Sequence, residues 1–330
     1  ENVQARIRGA ILMEFSNQHF YSARLQPIPG HPANRPRQSP LTLHHVGGTY
    51  EDRRNVKEAK KVCEIVRDLL RRKNAPSIGI ACFSLQQREA ILDALDKLAQ
   101  EDHAFASDLA EARNLRREGM FEGLFVKNLE NVQGDERDHI IISTTYGPDP
   151  QGRFYKRFGP LGRSGGGRRL NVLITRAREE VHLVSSIPQS VYRNPPEPAE
   201  GQSPGGPLLL FYYLAYAEHL ASEYQRMREE PAAPAPTVPQ ELRIRTTRYP
   251  SEVAKQLARQ LLAKSNIGSW VHWGNDGFCV DLALQHPHSA EDVTIGVLCD
   301  LNRFESAADA VEWEIFRTNI LAGQGWKLLR

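Results

Sequence analysis

Short apolar segments alternate with amphipathic segments along residues 41–185, and this alternation limits the folds that are open to the chain. The apolar runs have the length of strands, whereas the longer segments between them repeat their apolar residues at helical spacing. Strands that alternate with helices build a parallel sheet with helices on its faces. The predicted strands are residues 41–46, 78–83, 123–126, 139–144 and 181–185, and the clearest predicted helices are residues 55–70 and 86–98. The sequence therefore predicts an α/β fold.

The length of the chain indicates more than one domain, and its composition indicates that these domains are globular. The chain has 330 residues, of which 40% are hydrophobic and 25% charged, a balance typical of globular proteins. No apolar run approaches the ~18 residues of a membrane span, and the first residues lack the apolar core of a signal peptide. The chain also begins without methionine, so we expect it to be an internal part of a longer protein with no membrane partner.

The four cysteines form no CxxC pair, and none lies near a histidine at zinc-finger spacing. Most of them fall in apolar, strand-like runs, where cysteine commonly serves as a packing residue. Reduced thiols of this kind are typical of cytoplasmic proteins. We therefore predict a cytoplasmic location.

Proline-rich stretches divide the chain. Residues 194–207 interrupt the α/β pattern, and residues 229–240 form a proline/alanine linker after an aromatic-rich helix at 208–227. We assign residues 1–195 to the first domain, 196–240 to the helix and linker, and 241–330 to a second, smaller α/β domain. Its predicted helices are residues 251–262 and 307–321, and its predicted strands are residues 278–284, 293–299 and 326–329.

Positive charge is concentrated in residues 151–178, which we call the basic segment, although the net charge of the whole chain is only +2. The segment contains no acidic residue and eight cations: Arg153, Lys156, Arg157, Arg163, Arg168, Arg169, Arg176 and Arg178. One interpretation is a solvated loop. The other, which the absence of acids favours, is a surface that attracts anions.

Two polar turns carry the chemistry of the first domain. In the first, Gly134 allows a ligand to approach the backbone closely, and Glu136 can accept hydrogen bonds from sugar hydroxyls. In the second, Arg176 and Arg178 follow the apolar run VLIT just before a strand. Guanidinium groups match phosphate oxygens well, although spacing alone favours an ordinary surface arginine pair.

Taken together, QGDERDHIIIS (133–143) and RRLNVLITRAR (168–178) resemble motifs V and VI of superfamily 1 helicases, in the Upf1-like branch. The intervening segment with FGPL and a glycine run, HVGGTYEDRRNVKEA (45–59) and FSLQQ (83–87) extend the resemblance, as does QARIRGAILMEFSNQHFY (4–21). It covers about residues 1–190. The resemblance implies that the first domain is RecA-like.

The resemblance also implies roles for matching positions. Arg176 corresponds to the arginine finger that stabilises charge on the γ-phosphate, Arg6 to a second γ-phosphate sensor, and Glu136 to a ribose contact beside Gly134. The nucleotide-binding set is Gln133, Gly134, Glu136 and Arg178. The nucleic-acid set is Gln87, Thr144, Asn171, Arg168 and Arg169, and for the first three of these a structural role stays open.

The sequence departs from the family pattern in places. Ala5 stands where relatives carry a tyrosine that can stack on the base, and Gln4 and Gly9 replace histidines. Neither a GxxxxGK[ST] P-loop nor the magnesium-binding Asp-Glu motif occurs before motif V. The resemblance thus implies the second RecA-like domain, with ATP and Mg²⁺ as cofactors. It also implies a missing N-terminal RecA-like domain as the partner, without which the chain does not hydrolyse ATP.

The second domain carries acidic residues on apolar strands. Asp281 lies in a predicted strand, Asp300 stands at the end of the next predicted strand, and Glu252 opens a predicted helix. Buried carboxylates are costly unless they bind a cation or accept hydrogen bonds, so the three either bind a divalent metal or cap strand ends. A further cluster, Trp270 and Trp273 around His272, is either a stacking platform for a base or, more simply, core.

These residues resemble the PD-(D/E)xK fold, and more narrowly the Vsr-like, restriction-endonuclease-type domain that follows such helicases. The matching segments are SEVA (251–254), VDLAL (280–284) and GVLCD (296–300). The resemblance makes Asp281 and Asp300 catalytic metal ligands. Leu298, however, occupies the position of an expected acidic residue, and Glu305 from the next helix could supply the missing charge. An active nuclease and a degenerate DNA-binding module are both open.

The expected function is therefore the C-terminal part of an ATP-dependent helicase or translocase with an appended nuclease-like domain. Its substrate is a nucleic acid, with DNA favoured over RNA. The alternative is a non-catalytic nucleic-acid-binding module whose nuclease domain is degenerate.

Overall fold

A computed structural model describes residues 3–21, 38–132, 134–195, 198, 203–229, 252–273, 279–286, 289–299, 318–319, 321–323 and 325–330. The chain divides into two compact units. The larger one, here called the sheet domain, contains Ile11–Ser22 and Gln38–Tyr224, so that it includes the second half of α1 (Val3–Phe20). The other contains Glu1–Ala10, Ala23–Arg37 and Gln225–Arg330, and this last segment is here called the C-terminal unit.

A five-stranded, entirely parallel sheet forms the centre of the sheet domain, and it confirms the predicted α/β fold. The strand order is β1-β7-β6-β2-β5, so the chain crosses the sheet repeatedly. The strands are β1 (Leu41–His45), β2 (Ile78–Cys82), β5 (Phe125–Asn128), β6 (Arg137–Ser143) and β7 (Ala177–Ser185). Two short strands, β3 (Arg116–Arg117) and β4 (Met120–Phe121), form a separate hairpin.

The helices of the sheet domain arise where apolar residues recur at helical spacing. In α2 the residues Val62, Val66 and Leu69 lie on one buried stripe, and the side chain of Asn55 caps the first turn by accepting from Glu58 N. The helices are α1 (Val3–Phe20), α2 (Val56–Leu70), α3 (Leu85–Glu101), α4 (His103–Arg113), α5 (Gly159–Gly162), α6 (Gly166–Ile174), α7 (Gln189–Tyr192) and α8 (Gly206–Glu229).

The alternation of side chains along β6 separates two cores. Ile140 and Ile142 pack into a cluster that includes the buried aromatic residues of α8, such as Tyr213. Ile141 packs on the opposite face, against apolar residues of α2 and α3. The tyrosines of α8 are thus part of the packing: the ring of Tyr213 lies 4.9 Å from that of Phe15.

The C-terminal unit contains a four-stranded mixed sheet of order β11-β10-β9-β8, preceded by α9 (Glu252–Ser265). Its strands are β8 (Ser269–Trp273), β9 (Val280–His286), β10 (Ser289–Val297) and β11 (Lys327–Leu329). Strand β10 pairs antiparallel with β9 and parallel with β11. Most of the predicted helix at 307–321 lies outside the described residues. Within the described part of the chain, no helix is long and apolar enough to span a membrane.

Candidate functional site

The two ends of the parallel sheet hold different groups of polar residues. Residues just before β6 and β7 lie at the amino end of the sheet, which we call the amino edge. Residues just after β1, β2, β6 and β7 lie at the opposite end, the carboxyl edge. Because β6 and β7 are neighbouring parallel strands, their first residues lie side by side although about forty positions separate them in sequence.

Arg176 and Glu136 come together at the amino edge, where Arg176 Nη1 lies 3.6 Å from Glu136 Oε1. The guanidinium is also held from behind, since its Nε donates to Val172 O at 2.9 Å. The side chain of Glu136 is 58% exposed and that of Arg176 is 21% exposed. A long ion pair between an exposed carboxylate and a fixed cation can open easily, so Glu136 can turn away and leave the guanidinium of Arg176 available to a ligand.

Gly134 lies in the turn before Glu136 and has a φ of 90°, which favours glycine. A Cβ placed there would meet nothing within 4 Å, so the backbone faces open space. Beside it, Lys127 Nζ pairs with Asp135 Oδ2 at 2.6 Å. Gln133 lies outside the described residues. The turn therefore offers an accessible backbone next to a cation.

Arg178 differs from Arg176 because its charge is already balanced. Its Nη2 lies 2.6 Å from Glu122 Oε1, its Nε donates to Asp138 Oδ1 at 3.0 Å, and its Nη2 donates to Ser77 Oγ at 3.1 Å. Burial opposes ionisation of Asp138, but the Ser77 amide and the cations of Arg178 and Arg117 hold the pKa of Asp138 below its usual value. This network joins β6, β7 and the β3–β4 hairpin, so Arg178 has a structural role there.

The other predicted residues of the first domain are dispersed. Arg6 lies in α1, but its side chain is outside the described part of the structure. In α6, Asn171 Nδ2 donates to Tyr21 Oη at 3.3 Å, while Asn171 Oδ1 is buried without a hydrogen-bond partner among the described atoms. Arg168 is exposed, whereas Arg169 Nη1 donates to the carbonyl oxygens of Pro160 and Ser164.

A buried polar network occupies the carboxyl edge, and its centre is Glu58 of α2. Glu58 Oε2 accepts from Ser143 Oγ at 2.6 Å and from Thr145 N at 2.7 Å. Thr144 Oγ1 lies 3.3 Å from Glu58 Oε1 and 3.0 Å from Ser185 Oγ. Burial raises the pKa of Glu58 to about 7, although these hydrogen bonds pull it the other way.

Gln87 belongs to the same network, and both polar atoms of its side chain form hydrogen bonds within the protein. Its Oε1 accepts from Asn55 N at 2.6 Å, and its Nε2 donates to Asn55 O and to Ser143 Oγ, both at 3.0 Å. The residue is completely buried. These contacts favour the structural role that the sequence left open for Gln87.

Next to this network lies a groove of about 260 Å³, lined by Tyr50, Tyr146, Gly147, Asp149, Tyr155 and Arg157. Tyr155 is 51% exposed, and the guanidinium of Arg153 lies over its ring at 5.7 Å. These tyrosines were not predicted as functional residues from the sequence. Tyr146 and Tyr155 lie near or within the basic segment, and this proximity in sequence could have indicated them. Tyr50 is distant in sequence, and only the fold brings it beside them.

In the C-terminal unit, Asp281 is almost completely buried on β9. Its Oδ2 accepts from Cys299 N at 2.8 Å, so the carboxylate ties β9 to the chain after β10. Glu252 begins α9 and pairs with Lys255 at 2.6 Å on the surface. Asp300 and Glu305 lie outside the described residues.

The tryptophan cluster of this unit belongs to its core. The ring of Trp273 lies 5.1 Å from that of Trp270 and 6.3 Å from that of Trp326, which is buried with Val280 and Leu321.

None of the four cysteines, all of which are described, forms a disulfide. Burial raises the pKa of both Cys63 and Cys82 to about 12, which keeps these thiols protonated and unreactive.

Comparison with known proteins finds a matching family, similar helicase-named proteins and similar solved structures. The profile of a family described as AAA domain matches residues 2–187. The uncharacterized ATP-dependent helicase MG140 homolog of Mycoplasma pneumoniae is 29% identical over 308 residues, which are 89% of this chain and 26% of that protein. The uncharacterized ATP-dependent helicase MG140 of Mycoplasma genitalium is 34% identical over 219 residues, 66% of this chain and 18% of that protein.

The chain therefore spans only about a quarter or less of the length of these relatives. Among solved structures, the C-terminal domain of a possible DNA helicase from Lactobacillus plantarum is 16% identical. The match covers 62% of this chain and 92% of that one with a TM-score of 0.30, a likeness too weak to carry an argument.

Proposed function

Because the chain belongs to the AAA domain family, we propose that its sheet domain is the second RecA-like half of a superfamily 1, Upf1-like helicase or translocase driven by ATP. Similarity to two proteins named as ATP-dependent helicases supports a helicase-related function. The predicted cytoplasmic location and the boundaries at residues 195 and 240 remain predictions.

One observation carries the proposal: Arg176 and Glu136 meet at the amino edge of the sheet. The two residues are distant in sequence, and the pairing of β6 with β7 brings them together. A half-site for a nucleotide needs a cation for the phosphates and an acceptor for the ribose hydroxyls. Arg176 and Glu136 offer these groups beside the open backbone of Gly134.

In the proposed mechanism, the partner is an N-terminal RecA-like domain that carries the P-loop. When the two domains close on ATP, the carboxylate of Glu136 leaves Arg176 and accepts from the ribose. The guanidinium of Arg176, held at Nε by Val172 O, then stabilises negative charge that develops on the γ-phosphate. The described residues of the amino edge are a mixture of cations and acids and do not form a set of oxygen ligands that fits Mg²⁺.

The test is ATP turnover by the protein in which this chain is joined to its P-loop domain, with Arg176→Ala and, as a matched control, Arg72→Ala. Arg72 is an exposed arginine outside the basic segment. We expect Arg176→Ala to lower kcat by about 10³-fold or more with little change in nucleotide affinity, since an arginine finger acts on the transition state. Arg72→Ala should leave kcat unchanged. Unchanged turnover in Arg176→Ala would refute the arginine-finger assignment.

At the carboxyl edge, we propose that the tyrosine-lined groove and the exposed cations of the basic segment contact a nucleic acid, with DNA favoured. Exposed Tyr155 offers a face on which a base can stack, and Arg157 lies in the same groove. Buried groups such as Gln87 and Thr144 would act by supporting this surface from within.

For the C-terminal unit we propose a nuclease-like fold whose catalytic role is open. Its helix and mixed sheet support the fold, and the buried carboxylate of Asp281 supports a metal ligand. The hydrogen bond from Cys299 N to Asp281, together with Leu298, favours the second candidate function, a non-catalytic nucleic-acid-binding module.

Incubation of labelled DNA with the chain and Mg²⁺ or Mn²⁺ separates these two functions. Cleavage that is lost in both Asp281→Asn and Asp300→Asn would establish the nuclease. Binding without cleavage would establish the module. Glu252→Gln is a further variant, because Glu252 was predicted as a third ligand and its carboxylate is exposed.

A further inference from the structure

Three side chains on β6 and β7 converge on one point, and none of them has a role in the sites described above. His139 Nδ1 lies 3.2 Å from His182 Nε2, and Glu180 Oε2 lies 3.6 Å from His139 Nδ1 and 3.7 Å from His182 Nε2. We call these three residues the histidine cluster. They are the one group of three metal-ligating side chains found in the part of the chain that the structure describes.

The register of the sheet explains the convergence. His139 is paired directly with Glu180, and His182 lies two residues further along β7, so all three side chains point to the same face. This is the face on which Ile141 and Val184 pack against α2. Both are interior strands of the sheet, each hydrogen-bonded to a neighbour on both sides, which holds the three donors in place.

The three distances match the spacing of ligands around a zinc ion. Zinc–nitrogen and zinc–oxygen bonds of about 2.0–2.2 Å at a tetrahedral angle place neighbouring donor atoms roughly 3.3–3.6 Å apart. The distances of 3.2, 3.6 and 3.7 Å lie close to that range. Two imidazoles and one carboxylate are also an established ligand set for zinc.

The surroundings suit a metal as well. His44 on the edge strand β1 places its Nε2 3.5 Å from His182 Nδ1, the nitrogen that does not face the cluster. Metal-bound histidines usually donate from the second ring nitrogen to an acceptor, which sets the tautomer. The two cluster histidines are buried, while the side chain of Glu180 is 17% exposed and provides access from solvent.

We propose that His139, Glu180 and His182 bind a zinc ion and that His44 orients His182 for this purpose. The ion would join β6 to β7 a few residues beyond Glu136 and Arg176. It would thus fix the relative positions of the two strands that present the candidate nucleotide half-site. The ligand set itself does not depend on that half-site.

The first experiment measures zinc content and affinity of the purified 330-residue chain, by elemental analysis after dialysis and by competition with a chromophoric chelator. We expect one zinc per chain in the wild type, and its loss in His139→Gln and Glu180→Gln. His44→Gln should retain zinc with an affinity lowered by about 10–100-fold. The matched control is His103→Gln, which removes an exposed histidine of α4.

Cobalt substitution supplies a readout that does not depend on activity. Co²⁺ bound by two nitrogens and one carboxylate, with a water in the fourth tetrahedral position, gives a visible absorption band, which should disappear in Glu180→Gln. Because Glu180 is partly exposed, this variant should still fold, and circular dichroism checks that it does. Wild-type zinc content equal to that of folded Glu180→Gln would overturn the proposal, as would zinc that is lost in His103→Gln. The cluster would then be an ordinary hydrogen-bonded histidine pair.

Discussion

Glu58 is a carboxyl group buried at the carboxyl edge, and its titration gives a prediction at the scale of one residue. Burial raises its pKa from 4.5 to about 7 in the folded chain. Between these two values the folded state holds a proton that the unfolded state has lost. The free energy of unfolding therefore falls as the pH rises from about 4.5 to 7, by on the order of 2–3 kcal/mol.

The measurement compares denaturant unfolding of wild type and Glu58→Gln at pH 5 and pH 8. Glutamine cannot ionise, so the free energy of unfolding of Glu58→Gln should not fall through this titration as that of the wild type does. Relative to the wild type, the variant should therefore be more stable at pH 8 than it is at pH 5. Glu64→Gln, a substitution on the partly exposed side of α2, serves as the control and should follow the wild type. Parallel pH profiles for wild type and Glu58→Gln would contradict the raised pKa.

Gln87 connects three elements, and its removal tests how the carboxyl edge is held together. Its side chain joins the first turn of α3 to the start of α2 and to the end of β6. Gln87→Ala would leave the buried amide and carbonyl of Asn55 without this partner. We expect a loss of about 2–4 kcal/mol in the free energy of unfolding.

Gln86→Ala is the matched control, because Gln86 is the exposed neighbour in the same turn of α3. It should change the stability by no more than about 0.5 kcal/mol. Chemical denaturation of wild type, Gln87→Ala and Gln86→Ala measures the three free energies of unfolding. If Gln87→Ala unfolds like Gln86→Ala but binds nucleic acid more weakly, the direct-contact role predicted from the sequence is correct instead.

At this scale the sequence predicted most of the sheet but not all of the helices. The strands of the parallel sheet and helices α2 and α3 have strong apolar periodicity, so their positions were predicted to within a few residues. Helix α6 was missed because it is short and begins with glycines, which give no capping signal. Strand β8 was missed because its run SWVHW reads equally well as an aromatic cluster.

The candidate site was less accessible to sequence reasoning than the fold. Arg176 and Glu136 at the amino edge were predicted from the resemblance to helicase motifs V and VI, whereas spacing alone did not distinguish them from ordinary surface residues. Whether a polar side chain is exposed or used internally depends on hydrogen bonds made across the sheet, as Arg178 shows with Glu122 and Asp138. The histidine cluster was invisible for the same reason, since the register of β6 against β7 creates it.

The basic segment predicts how the whole molecule binds nucleic acid. Of its eight cations, Arg176 and Arg178 pair with acidic residues, Arg153 pairs with Asp149, and Arg169 binds carbonyl oxygens. The remaining four, Lys156, Arg157, Arg163 and Arg168, are exposed. If each neutralises one phosphate, the slope of log K against log salt should be about −3 to −3.5.

A slope of that size means a loss of affinity of about 50- to 150-fold between 50 and 200 mM salt, measurable by fluorescence anisotropy. The double variant Lys156→Ala/Arg157→Ala should make the slope shallower by about 1.5–2, because each lost phosphate contact removes one released counterion. The control, Lys73→Ala/Lys97→Ala, removes two exposed lysines outside the segment. An equal effect of both double variants would mean that binding follows the charge of the whole chain, and a wild-type slope near zero would remove the electrostatic basis of the nucleic-acid interface.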